Sequence, residues 1–93
     1  MGLYVGLDIS QKQTAICVVD DQGKVVVQGG SLTRASDIDG WLNNRVDRAQ
    51  IVRVGLEAGN MSSWIYSGLL KLGLTVVVLE AFQAHRFLAT QRN

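Results

Sequence analysis

The strongest constraint on this chain is a change of hydrophobic period about a third of the way along it. Leu3, Val5, Leu7 and Ile9 alternate with Tyr4, Gly6 and Asp8, the two-residue period of a strand. Thr14 to Asp20 and Lys24 to Gln28 read as two more strands. Ser10 to Gln13 and the turn Asp20-Asp21-Gln22-Gly23 separate them, with Gly23 able to supply a positive φ. These residues predict an antiparallel meander of three strands. Helical spacing then takes over at Ile38, Trp41, Leu42, Val46 and Ala49, with Ser31, Thr33 or Ser36 available as the cap. Ile51 to Leu56 predicts a fourth strand, and Ala58-Gly59-Asn60 breaks it. A second helix runs through Trp64, Ile65, Leu69 and Leu72, capped by Ser62 or Ser63 and stopped at Gly73. Leu74 to Leu79 is apolar enough for a strand buried on both faces, and Ala81, Ala84, His85, Phe87 and Leu88 open a third helix.

Composition narrows the class. The chain has 93 residues, which makes residues 1–93 one domain. Hydrophobic residues at 47% against 18% charged predict a globular chain. There is no apolar run of membrane-spanning length and no signal-peptide pattern before Asp8, so a cytoplasmic protein is expected, with no membrane partner. Cys17 has no intrachain partner, which excludes a disulfide-stapled scaffold. A net charge of +1 argues against a free-standing binder that works by phosphate neutralisation alone. The absence of proline fits short connections between regular elements. The last helix meets no stop signal, so the chain is expected to be part of a longer protein.

The element order (three strands, then helix, strand, helix, strand, helix) predicts an α/β, ribonuclease-H-like mixed sheet with helices on both faces. Right-handed crossovers place the fourth strand parallel to and beside the first. Asp8 then closes the first strand in GLDIS, and Glu57 follows the fourth in VGLEAGN. On neighbouring strands about 4.8 Å apart, both reach the same rim of the sheet. Two close carboxylates repel, so one takes a proton or a cation sits between them. Magnesium, a hard ion that prefers oxygen ligands, suits that position, and two such ions serve phosphodiester chemistry. On this reading Asp8 and Glu57 are the candidate catalytic and metal-binding residues.

VGLDIS, TAICVVDDQGKVV and VGLEAGNMSSWIYSGLLKLGLTVVVLEAFQAHRF together resemble the N-terminal RuvC-like domain of the DEDD-type insertion-sequence transposases, the relatives of the invertase Piv. The resemblance covers essentially the whole chain. It implies Mg2+-dependent cleavage and transfer of DNA strands, with Asp8 and Glu57 matching the first two of four family acids. The other two belong to an Asp-x-x-Asp motif expected just after Asn93, so the two-metal site is expected to be complete only in the full-length protein. The family often carries Lys directly after its Asp-x-Ser; here that place is Gln11, and Lys12 becomes the candidate nucleic-acid contact. The likeness further implies a structured guide RNA, a separate domain bearing a serine nucleophile, and a homo-oligomer.

The remaining candidates read as structural. Cys17 packs as a small hydrophobe, Ser62 and Ser63 cap, and His85 is a helix-face residue. Trp41, Trp64, Tyr66 and Phe87 fill core. Lys12, Arg34, Arg53, Arg86 and Arg92 are scattered basic residues within reach of phosphates. Two alternatives stay open at this point. One is a non-catalytic dimerisation or interaction module on the same fold. The other is an ATP-dependent phosphotransferase half-domain, which would want a glycine-rich phosphate loop that Ser10-Gln11-Lys12-Gln13 does not supply.

Overall fold

A computed structural model describes residues 2–57 and 62–79. Its elements are β1 (Leu3–Ile9), β2 (Gln13–Asp20), β3 (Val25–Leu32), α1 (Ala35–Asn43), a short 3-10 turn (Arg48–Gln50), β4 (Ile51–Glu57), α2 (Ser62–Lys71) and β5 (Val76–Leu79). They form one sheet in the order β3-β2-β1-β4-β5. β2 is antiparallel to β1 and β3, whereas β4 is parallel to β1 and β5.

The meander is built locally. The Asp20 carboxylate accepts from the backbone N–H of Gln22 and of Lys24, each at 2.9 Å, and Gly23 adopts φ 83° as expected. Alternation then sends Leu3, Val5 and Leu7 of β1, Ile16 and Val18 of β2, and Val54 and Leu56 of β4 into one core. Ile38, Trp41 and Leu42 of α1 and Ile65 and Leu69 of α2 cover that same core, so both described helices lie on one face of the sheet. Each fully buried Leu or Ile there contributes about 1.5–3 kcal/mol. The expected third helix lies outside the described residues.

Four local expectations are corrected by tertiary packing. β3 runs to Leu32 rather than ending at Gln28, because Gly29 and Gly30 keep ladder partners in Ile16 and Ala15. The Trp41 ring lies on Gly29, where a Cβ would come within 3.0 Å of Cζ2. None of Ser31, Thr33 or Ser36 caps α1; Arg34 is its N-cap, without a side-chain cap bond. α1 also stops at Asn43 instead of continuing to Ala49, because the Asp47 carboxylate accepts from the Ala49 N–H (3.0 Å) and starts the 3-10 turn. Among the described residues β5 is at the sheet's edge and is not buried throughout: Val76 is buried, Val77 half-buried and Val78 41% exposed.

α2 ends as expected. Gly73 takes φ 87°, while Gly73 N–H bonds the Leu70 carbonyl (2.9 Å) and Leu74 N–H bonds that of Leu69 (3.2 Å). Trp41 is core as expected, and the Arg45 guanidinium lies 4.4 Å from its ring centroid. Tyr66 is half-buried against the core, whereas Trp64 is 58% exposed and so is not a core residue. Phe87 and His85 lie outside the described residues.

Candidate functional site

β1 is the central strand, and Asp8 is its penultimate residue. The parallel ladder with β4 runs through Gly6↔Gly55 to Leu7↔Leu56. The next residue on each strand is an acid: Asp8 on β1 and Glu57 on β4. They therefore occupy neighbouring register positions at the same end of the sheet, on backbones about 4.8 Å apart. On its far side, Glu57 pairs with Leu79 of β5. Forty-eight residues separate the two acids in sequence (57 − 9 = 48), and it is the crossover through α1 that brings them together.

The Asp8 side chain is exposed, on the face opposite the helices, because its neighbours Leu7 and Ile9 point the other way. Two open depressions, of about 310 and 360 Å³, meet at Asp8, Ala15 and Gly29. The register explains why the surface there is low. Asp8 pairs with Ala15, and Ala15 pairs with Gly30 at the outer strand. From Asp8 to that edge of the sheet, the row carries only a methyl group and a hydrogen. That row is the low point of the surface, flanked by Cys17 and Gln28 on one side and Gln13 on the other. This low row was missed in the sequence, where Ala15, Gly29 and Gly30 look unremarkable until the hairpin register is known. Cys17, half-buried, lines the first depression instead of packing into the core.

The loop bearing Lys12 is held in place by a buried hydroxyl pair. Thr33 Oγ1 donates to the Ser10 carbonyl (2.7 Å), so its 2.9 Å bond with Thr14 Oγ1 has Thr14 as donor. Thr33 N–H donates to the Lys12 carbonyl (3.0 Å), and Ser10 N–H to that of Gln13 (3.1 Å). These bonds tie the β1–β2 connection to the start of α1. The Lys12 side chain is exposed on that connection, at the same rim as Asp8. Of the other basic candidates, Arg34 pairs with Asp37 (2.8 Å) and Arg53 is exposed on β4. Arg86 and Arg92 lie outside the described residues.

Asp8 presents a carboxylate at the rim, a hard oxygen donor of the kind magnesium prefers. Among the described residues, no three His, Cys, Asp or Glu side chains cluster as a metal site. Two acids alone suit weak binding, since magnesium keeps several waters and takes further oxygens from substrate phosphates. Among the described residues no helix is long and apolar enough to cross a membrane.

A mixed sheet of this order, with an acid at the end of its central strand, defines a ribonuclease-H-like α/β domain. The solved large terminase nuclease from thermophilic phage G20c has a similar structure, with a TM-score of 0.60 at 12% identity. The match covers 98% of this chain and 56% of that one, so the chain spans little more than half of the nuclease's length. No curated protein matches the sequence. The family model of the IS110-type DEDD transposases, described as "Transposase", matches residues 5–93, and the chain belongs to that family.

Proposed function

We propose that this domain supplies Asp8 and Glu57 as magnesium ligands for the cleavage and transfer of DNA strands by a transposase. The observation that supports this most is the β1–β4 register, in which Asp8 and Glu57 follow the paired Leu7 and Leu56, with two open depressions at Asp8. A magnesium ion held there would screen the phosphodiester charge and help activate the attacking oxygen. Asp8 and Glu57 hold and orient the site, and Lys12, carried on its fixed loop, contacts the DNA backbone. Two further acids and a nucleophile come from elsewhere in the full-length protein. A structured guide RNA as partner, a homo-oligomeric working form and action in the cytoplasm complete this reading, all on the strength of the family.

Thermal unfolding with and without magnesium tests it, at constant ionic strength. For a Kd of about 1 mM, about 20 mM magnesium stabilises the chain by roughly 1.8 kcal/mol. That raises the unfolding midpoint by roughly 7–14 °C in a domain of this size. Asp8→Asn and Glu57→Gln should each abolish most of the rise. An equal rise in both variants contradicts the assignment, and micromolar affinity contradicts a half-complete site.

A further inference from the structure

The two tryptophans of this chain sit in opposite surroundings. Trp41 is 8% exposed, seated on Gly29 and covered by Arg45. Trp64 is 58% exposed, although its neighbour Ile65 is 1% exposed and Leu69 fully buried. Successive helical residues are turned by about 100°, so α2 commits Ile65 and Leu69 to the core and turns Trp64 outward. An exposed Trp forgoes most of the roughly 150–250 Å² that an aromatic of this kind can bury.

Its place in the fold gives that exposure a use. α2 begins five residues after Glu57 and leads through Gly73 into β5, which is parallel to β4. The N-terminal turn of α2, which carries Trp64, is therefore at the end of the sheet where β4 and β1 finish. Five residues of chain reach at most about 18 Å, so α2 starts within that distance of Glu57, with the Asp8 side chain on the other face of the same sheet end and a bound strand crossing the rim between them. Ser67 and Lys71, both exposed, follow Trp64 at i+3 and i+7 and continue its face of the helix. The exposed Leu70 lies about a third of a turn from Trp64 and borders the face at Ser67, three residues before it. The surface is thus one aromatic, one hydroxyl and one cation in line, not a contiguous apolar patch of the kind a protein partner buries.

We propose that Trp64 stacks on an unpaired base of a nucleic-acid strand bound at the Asp8 rim, with Ser67 and Lys71 contacting the adjoining phosphates. This rests on the reading above that the domain handles nucleic acid. The strand is single at that point, because paired bases have their faces occupied by their neighbours. The site is sequence-tolerant, since every base has a face on which an indole can stack.

The test is binding of fluorescein-labelled oligothymidylate, oligouridylate and a duplex of equal length to the 93-residue chain, followed by anisotropy in EDTA. Trp64→Ala and Trp64→Leu should weaken binding of the single strands about tenfold or more, and Trp64→Phe by less than about threefold. Duplex binding should be the same in all variants. Tighter binding of oligouridylate than oligothymidylate assigns the stacked strand to RNA, and the reverse assigns it to DNA. Because Trp64 is exposed, all variants should unfold at the wild-type midpoint. No single-strand binding, unchanged binding by Trp64→Ala, full retention by Trp64→Leu, or an equal loss on duplex each overturns the proposal. Those results leave the magnesium response of Asp8 untouched, so stacking and metal site fail separately.

Discussion

Thr33 shows how a single buried hydroxyl can serve the candidate site without touching it. It closes a chain of bonds from Thr14 to the Ser10 carbonyl and so fixes the connection that carries Lys12. Thr33→Val keeps the shape but leaves Thr14 without an acceptor and Ser10 without a donor. The expected cost is about 1–3 kcal/mol, measured by urea unfolding. Amide exchange across residues 10–13 should quicken as well; unchanged exchange there would show that the loop is held by other contacts. Thr33 is offered by its sequence position as a helix cap, and only the tertiary structure shows its hydroxyl spent elsewhere. Trp64 taught the same lesson in reverse. The sequence reading puts Trp64 in the core together with Ile65, and the packing of α2 on the sheet buries Ile65 and leaves Trp64 outside.

At the scale of elements, what was legible was what local chemistry determines. The alternation of β1, the Asp20–Gly23 turn and the Gly73 stop all depend on neighbours within a few residues, and all appear as expected. The full length of β3 depends on Trp41 lying over Gly29, and the edge position of β5 on the sheet order; neither is written in a local pattern. Placement of Asp8 beside Glu57 was legible because it follows from strand order and crossover handedness alone. The two helices offer a direct test of packing against propensity. A Cβ at Gly40 in α1 meets nothing within 4 Å, so Gly40→Ala should stabilise by up to about 1 kcal/mol. At Gly68 in α2 a Cβ would come within 2.7 Å of the Ala35 Cβ. Overpacking there costs about 1–3 kcal/mol and outweighs the propensity gain of about 1 kcal/mol, so Gly68→Ala should destabilise. Thermal melts of the two variants shifting in the same direction would contradict this account of the α1–α2 contact.

The whole molecule divides its work between the two faces of one sheet. One face carries the core and both described helices; on the other, a low row of small residues, Ala15 and Gly30, leads to Asp8. The first supplies stability, and on the proposed function the second supplies access, with β1 central to both. The proposed function uses both: on that reading a rigid strand pair holds Asp8 and Glu57 while a nucleic-acid strand approaches them. The most direct measurement is paramagnetic broadening by manganese, which takes the same oxygen ligands as magnesium, in the NMR spectrum of the labelled chain. Substoichiometric manganese should broaden the amides of Asp8 and Glu57 together, and Asp8→Asn should relieve both. Broadening of one strand end without the other, or broadening that survives Asp8→Asn, would contradict a shared ion.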